Sequence, residues 1–163
     1  MIKKAFLLAL LAAVCNASAS NHWAVLVAGS DTWWNYRHQS DVCHAYQLAK
    51  GNGIPEDQII VIMRDDIAKN SRNPFPGQIF NQPDGQDVYA GCKIDYSGDH
   101  ANPEVLLAVL KGEESKVAGK GTGKVLKSTA NDNVFFYYSD HGSKGLVAMP
   151  DGVLYATDFN DAL

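Results

Sequence analysis

The sequence predicts an α/β fold in which a mostly parallel β-sheet is flanked by helices. Residues 23–28, WAVLVA, form a continuous apolar run that suits a strand buried on both faces. A helical pattern follows, and a second apolar run begins near residue 59. A strand, a helix and a strand within about forty residues indicate a βαβ unit, which implies parallel strands joined by a right-handed crossover.

Size and charge narrow the possible functions. The chain has 163 residues, of which 46% are hydrophobic, and these values predict one domain with a substantial core. The formal net charge is −4, and no basic stripe alternates with aromatic residues. A surface of this kind does not attract phosphates, so we expect no nucleic-acid partner.

Residues 1–19 predict a cleaved secretory signal peptide. Two lysines near the start precede an apolar run that is too short to span a bilayer, and Ala-Ser-Ala at 17–19 supplies the small residues that a signal peptidase requires. A buried amino-terminal helix is the alternative. Under the main interpretation, residues 20–163 form the mature chain, which enters the secretory pathway.

The first helix and the segment after it have different sequence patterns. Val42, Tyr46 and Ala49 recur at helical spacing, and glycines at 51 and 53 end the helix. The second strand then covers about residues 59–63. Residues 64–103 are rich in Asp, Asn, Pro and Gly and show little apolar periodicity, so we expect a long ordered excursion over the surface.

The later elements are predicted from capping and turn residues. Asn102 is a plausible N-cap for a second helix, and Pro103 suits its first position. The third strand covers residues 134–138, VFFYY. Residues 145–156 predict a β-hairpin whose turn is Asp151-Gly152, and Thr157 is predicted to cap a final helix.

Polar residues follow the first and third strands, where a site is expected. Ligands of open parallel sheets bind outside the carboxyl ends of the strands, so residues 29–38 should meet Asp140, His141 and Gly142 at one edge. A histidine that moves a proton beside an exposed backbone N–H is suited to acyl transfer. The alternative for His141 is an ordinary histidine in a surface loop.

The segment NYRHQ at 35–39 could line a polar pocket. Arg37 presents a planar fork of hydrogen-bond donors, and His38 presents a second polar head just past the strand end. Together they could hydrogen-bond a substrate carbonyl. The alternative is a solvated turn that leads into the helix.

Neither histidines nor cysteines form a metal-binding motif. The five histidines show no HxxxH or HExxH pattern and the cysteines no CxxC, so we predict no metal and no other cofactor. Cys43 and Cys92 match no disulfide framework, and we predict two free or structural thiols. Pairing in an oxidising compartment is the alternative.

Taken together, these segments resemble the legumain family, the asparaginyl endopeptidases among the caspase-like cysteine proteases. The resemblance runs from HWAVLVAGSDTWWNYRHQSDVCHAYQ through DVYAG, KIDYSG and GKVLKS to VFFYYSDHGSKG, essentially the whole mature chain. It implies a caspase-like sheet, incomplete at the carboxyl end. It also implies cleavage of peptide or protein substrates after Asn, more weakly after Asp at acidic pH, in a lysosome-like or vacuole-like compartment or after secretion.

The resemblance assigns roles to five positions in this sequence. His141 resembles the catalytic base, and Gly142 resembles the residue whose amide binds the oxyanion. Asn35 resembles the asparagine that orients that histidine. Arg37 and His38 resemble the floor and wall of the asparagine-selective pocket.

The nucleophile is the main departure from the family pattern. These enzymes attack with a cysteine thiolate about 50 residues beyond the histidine, and no cysteine follows His141 here. Cys43 occupies a predicted core position and Cys92 lies in the excursion, so neither fits that role. We therefore expect residues 20–163 to be the amino-terminal portion of a peptidase domain, without its nucleophile-bearing part and prodomain, and inactive alone.

Two other interpretations remain open. The chain could be a truncated, non-catalytic remnant. It could also belong to the catalytic subunits of the GPI-anchor transamidase, a sister family that shares NYRH and a His-Gly pair. That family has Gly before the histidine and two glycines after it, whereas Asp140 and Ser143 flank the pair here. No membrane span is predicted, and the oligomeric state is not indicated.

Overall fold

A computed structural model describes residues 20–163, so the predicted signal peptide at 1–19 lies outside the described residues. The strands are β1 (His22–Ala28), β2 (Ile59–Ile62), β3 (Asn133–Ser139), β4 (Gly142–Ser143), β5 (Leu146–Met149) and β6 (Gly152–Tyr155), and the helices are α1 (Tyr36–Gly51), α2 (Pro103–Leu110) and α3 (Ala156–Asn160). They form two three-stranded sheets, ordered β2-β1-β3 and β4-β5-β6.

The first sheet is parallel, and its central strand is fully enclosed. Strand β1 pairs in parallel with β2 on one side and with β3 on the other. Ala24 and Leu26 point into a core cluster shared with α1, whereas Val25 and Val27 point into a second cluster shared with α2. The predicted α/β class, a parallel sheet flanked by helices, is therefore confirmed and is consistent with an incomplete caspase-like fold.

Helix α1 starts directly after a short 3-10 turn at Trp33–Asn35. The predicted positions Val42, Tyr46 and Ala49 are buried, so the helical spacing identified the correct face. Because the helix begins at Tyr36, residues 37 and 38 lie in its first turn, next to the carboxyl end of β1. This placement brings the NYRH segment to the edge of the sheet.

The excursion at 64–103 does not simply cross the surface, as the sequence led us to expect. Ile67, Ile79 and Tyr96 within it are fully buried. The Asn73 side chain donates to the carbonyl oxygens of Ile67, Ala68 and Gln78 and organises this irregular segment. Single apolar side chains therefore enter the core from separate turns, which leaves no periodic pattern in the sequence.

Helix α2 begins as its sequence predicts. The Asn102 side-chain oxygen accepts a hydrogen bond from the backbone N–H of Val105 at 2.9 Å, and Pro103 occupies the first helical position. This contact satisfies one of the amide groups that a helix start leaves unpaired. Helix α2 then covers the face of the sheet opposite α1.

The carboxyl-terminal hairpin and helix differ from the prediction in their exact register. Strands β5 and β6 pair with Met149 opposite Gly152, so the two turn residues are Pro150 and Asp151 rather than Asp151 and Gly152. Gly152 has φ 118° and uses its freedom as the first residue of β6. Helix α3 begins at Ala156, and no side chain caps it, so Thr157 lies inside the helix and is not its cap.

Strand β3 lies at the edge of its sheet and is less buried than β1. Val134 and Phe135 are 42% and 50% exposed, whereas Val25 and Leu26 of β1 are 0% exposed. The aromatic run of β3 is therefore only partly buried within residues 20–163. Within residues 20–163, no helix combines the length and apolar character needed to cross a membrane.

Candidate active site

Two loops meet at the carboxyl edge of the parallel sheet. Ala28 of β1 lies opposite Ser139 of β3, and the N–H of Gly29 donates to the Ser139 carbonyl at 3.2 Å. The chain segments that follow these strands therefore start from neighbouring points. Nε2 of His141 lies 2.8 Å from Oδ1 of Asn35, which confirms the predicted convergence of the two loops.

Asn35 is oriented by contacts on both sides of its amide group. Its Nδ2 donates to the Asp31 carbonyl at 2.8 Å, so its Oδ1 is the atom presented to His141. A carbonyl oxygen only accepts hydrogen bonds, and the proton of a neutral His141 must therefore sit on Nε2. This tautomer leaves Nδ1 of the exposed His141 ring as the basic nitrogen.

His38 lies beneath His141. It is 3% exposed, and its Nδ1 is 2.6 Å from Oγ of Ser30 and 3.3 Å from Oδ1 of Asp140. Burial, with the positive charge of Arg37 and the His141 ring, lowers the pKa of His38 to about 4. The two imidazole rings pack edge to face with centroids 5.0 Å apart, so a neutral His38 supports the ring of His141.

Asp140 is the deepest charged group in the site. Its side chain has no exposed surface, and burial raises the pKa of its carboxyl group. The missing side chain of Gly29 makes room for this carboxylate, since a Cβ atom there would lie 2.6 Å from Oδ2 of Asp140. The sequence predicted Asp140 at this edge of the sheet, but it did not reveal the burial of the carboxylate against His38.

Arg37 and Gly142 lie on the outer side of the site. Arg37 is exposed, its Nη1 reaches the Trp34 carbonyl only at 3.5 Å, and it takes part in none of the ion pairs found within residues 20–163. Its donors are thus directed to solvent beside the His141 loop. Gly142 is exposed and is the first residue of the two-residue strand β4.

Asp66 anchors the Asn35 loop, and sequence reasoning missed it. Its carboxylate accepts hydrogen bonds from the Thr32 N–H at 2.8 Å and from Nε2 of Gln39 at 2.6 Å. Thr32 has φ 68°, a conformation that is strained for a β-branched residue. Asp66 follows the parallel strand β2, and its position at the same carboxyl edge was the signal that could have revealed it.

Among the described residues, one group of side chains has an arrangement that could hold a metal ion, and it lies in this site. His38, Asp140 and His141 each offer a ligand atom, and these atoms lie within 4.8 Å of one another. Motif spacing could not reveal this grouping, because β1 and β3 bring together residues from distant parts of the chain. His38 and His141 already contact Ser30 and Asn35, so this grouping also fits a hydrogen-bonded network.

The two described cysteines lie away from His141. Cys43 is buried and Cys92 is half-buried, both as free thiols. Both pack in the cluster beneath α1, which does not include His141. The core position predicted for Cys43 is therefore confirmed.

The fold and the site define a caspase-like α/β protein that carries a histidine–asparagine pair at the carboxyl edge of its sheet. The profile of the Peptidase C13 family matches residues 22–163. The chain therefore belongs to the Peptidase C13 family.

Curated relatives show how much of a longer protein this chain represents. Legumain from Rattus norvegicus is 54% identical over 142 residues, which cover 87% of this chain and 33% of the relative. Vacuolar-processing enzyme from Ricinus communis is 57% identical over 142 residues, covering 86% and 28% respectively. The delta-isozyme of vacuolar-processing enzyme from Arabidopsis thaliana is 53% identical over 148 residues, covering 90% and 32%. The chain thus spans about a third of the length of these relatives.

Proposed function

We propose that the protein containing this chain is a cysteine-type endopeptidase that hydrolyses peptide bonds after Asn, and more weakly after Asp at acidic pH. The hydrogen bond from His141 to Asn35 at the edge of the sheet carries the proposal. It holds an exposed imidazole with a basic Nδ1 beside an exposed glycine and an unpaired arginine. Similarity to proteins named legumain and vacuolar-processing enzyme supports the same function.

In this proposal His141 transfers protons in both halves of an acyl-transfer reaction. Its Nδ1 takes the proton of a cysteine thiol, and the thiolate attacks the carbonyl carbon of the scissile bond. The backbone N–H of Gly142 stabilises the oxyanion that forms, and His141 then protonates the leaving amine. Water hydrolyses the thioester with His141 as the base. Asn35 keeps the ring in the orientation that both steps require.

Arg37 would recognise the side chain at the cleavage site. Its free guanidinium N–H groups suit the carbonyl oxygen of an Asn side chain, and an acidic group elsewhere in the protein would accept the Asn amide hydrogens. An ionised Asp substrate would be repelled by that acidic group. A protonated Asp resembles Asn in having one acceptor and one donor, which explains weaker cleavage after Asp at low pH.

The proposal assigns activity to the longer protein and not to residues 20–163 alone. Neither Cys43 nor Cys92 lies beside His141, so the nucleophile would come from a part of the protein outside these residues. We propose that residues 1–19 direct the chain into the secretory pathway. A lysosomal or vacuolar compartment would supply the acidic conditions and the protein substrates.

Substitution of His141 in the full-length protein tests this function. We expect His141→Ala to lower kcat/KM on a fluorogenic Asn peptide by about 10²-fold to 10⁴-fold, the range for loss of a general base. His44→Ala provides a matched control, because His44 is an exposed histidine on α1. Equal activity of the two variants would contradict the assignment of His141.

Arg37→Ala tests the specificity separately. We expect the preference for Asn over Ala at the cleavage site to fall by about 10-fold or more, because a lost charged hydrogen bond costs roughly 1.5–3 kcal/mol. Lys50→Ala, which removes a cation from the far end of α1, should leave the preference unchanged. If Arg37→Ala retained the Asn preference, another group would have to line the pocket.

A further inference from the structure

The two described cysteines belong to one core cluster, Cys43 on helix α1 and Cys92 in the excursion. Cys43 lies on the buried side of α1 with 0% exposure. Cys92, in the segment 88–92 of the excursion, packs against the same core cluster while remaining half-buried. The sequence separates them widely, and only the fold brings them into one cluster.

Hydrogen bonds from a side chain of α1 hold the segment 88–92 against this part of the helix. Nε2 of Gln47 donates to the carbonyl oxygens of Val88 at 2.9 Å and Ala90 at 3.0 Å. Gln47 is four residues after Cys43 and therefore lies one turn along the same side of the helix. The Cys92 N–H donates to the Tyr89 carbonyl at 2.9 Å, which closes a turn at Cys92.

Cys92 and burial both affect the Cys43 thiol. Its interaction with the Cys92 side chain, followed by burial, raises the pKa of the Cys43 thiol. A buried thiol with a raised pKa is a weak nucleophile, so Cys43 does not have the properties of a reactive catalytic cysteine. Cys92 is the more accessible member of the pair and is the sulfur that an oxidant in solution reaches first.

We propose that Cys43 and Cys92 form an intrachain disulfide when the protein meets a small-molecule or protein disulfide in the secretory pathway. The Cys92 thiolate attacks one sulfur of that oxidant and releases the other as a thiol, which gives a mixed disulfide. The Cys43 thiol then loses its proton and attacks the Cys92 sulfur, which releases the second thiol. Two protein thiols are oxidised to one disulfide, and one oxidant disulfide is reduced to two thiols.

The crosslink would join α1 covalently to the excursion. It would close a loop of roughly 50 residues and restrict the unfolded chain. Helix α1 carries Arg37 and His38 in its first turn, so the bond would stabilise the element that supports the active site. Both cysteines lie in a core cluster that does not include His141. The formation of the disulfide can therefore be tested independently of the proposed peptidase activity.

Mass spectrometry of the full-length protein secreted from a eukaryotic host tests the bond directly. The protein is denatured, alkylated without reduction and digested with trypsin. We expect residues 38–50 and 73–93 to appear as one linked species, two hydrogens lighter than the sum of the two peptides. Reduction should separate them. Complete alkylation of both cysteines without reduction would overturn the proposal.

Thermal unfolding provides a second readout. We expect a thiol reductant to lower the Tm of the wild-type protein by about 10 °C, as a disulfide closing a loop of this length predicts. Cys92→Ala should have a lower Tm than the oxidised protein and should not respond to reductant. Cys92 is preferable to the buried Cys43 for substitution, because its removal leaves a smaller gap. An equal response of the variant and the wild type to reductant would argue against the bond.

Discussion

The two loops that form the site differ in how firmly the rest of the molecule holds them. In the segment after β1, which includes the loop and the first turn of α1, Ser30, His38 and Gln39 are buried. The loop after β3 is exposed from His141 to Gly145, and only Asp140 is inserted into the interior. The largely buried segment after β1 thus presents Asn35, and the exposed loop after β3 presents the imidazole of His141.

This difference predicts that the two segments contribute differently to stability and to catalysis. Groups beneath the site are buried and hydrogen-bonded, so their substitution should cost folding free energy. Groups on top of the site are exposed and make few contacts, so their substitution should cost activity alone. Substitutions beneath the site should therefore have larger effects on stability than substitutions on top of it.

Gly29→Ala should cause the largest loss of stability. A Cβ atom at this position would collide with the Tyr138 hydroxyl and the Ala148 carbonyl and would lie 2.6 Å from Oδ2 of Asp140. Because Tyr138 belongs to strand β3 and Ala148 to strand β5, relief of these contacts requires the strands to move. We expect the free energy of unfolding in urea to fall by about 3 kcal/mol or more.

Gly51→Ala is the matched control for that substitution. It adds the same methyl group at the end of α1, where no atom lies within 4 Å of the new Cβ. We expect it to be neutral or to stabilise by up to about 1 kcal/mol, since Ala is a better helix former than Gly. If both variants lost the same stability, the tight contact beneath the site would not be the cause.

The free energy of unfolding should also depend on pH. His38 has a pKa of about 4 in the folded protein, below the ordinary value of 6.5, so the unfolded chain binds more protons between these values. The contribution of His38 to the free energy of unfolding should therefore be fully present above pH 6.5. It should decline by up to about 3 kcal/mol as the pH falls towards 4. Asp140 acts in the opposite direction, because its raised pKa lets the folded state take up a proton as pH falls.

His38→Gln isolates the contribution of His38. Glutamine does not titrate, so the decline in unfolding free energy between pH 6.5 and 4 should become shallower even if the variant is less stable at neutral pH. The slope is the decisive quantity, measured by urea unfolding at a series of pH values. An unchanged slope would mean that other groups dominate the acid sensitivity.

Substitution of Asp66 removes the anchor of the Asn35 loop. Asp66→Ala leaves the Thr32 N–H and Nε2 of Gln39 without their acceptor, and Thr32 already has a strained backbone. We expect a loss of about 2 kcal/mol in unfolding free energy, typical of hydrogen bonds to a charged group. Asp57→Ala, an exposed carboxylate next to β2, should change the stability by less than about 0.5 kcal/mol.

The elements of the fold were predictable where one pattern dominates locally. The apolar run of β1, the helical spacing of Val42 and Tyr46, and the cap at Asn102 are each set by neighbours in sequence. The convergence of Asn35 and His141 was also predictable, because parallel strands place their following loops at one edge. These inferences need only local patterns and one rule of topology.

The remaining features depend on distant contacts that no local pattern contains. The burial of Ile67, Ile79 and Tyr96 follows from single turns of an irregular segment. The role of Asp66 depends on the pairing of β2 with β1, and the burial of Asp140 depends on the absence of a side chain at Gly29. Within residues 20–163, Phe135 is half-exposed because β3 pairs with a strand on one side only.

Substitution of His141 should have the smallest effect on stability. His141→Ala removes an exposed side chain with one side-chain hydrogen bond, to Asn35, so the unfolding free energy should change by less than about 1 kcal/mol. Lys144→Ala, in the same exposed loop, is its control. The same His141 variant should lose most of its peptidase activity in the full-length protein. A loss of stability as large as that of Gly29→Ala would show that the exposed loop after β3 is also part of the structural core, and the division between the two loops would be wrong.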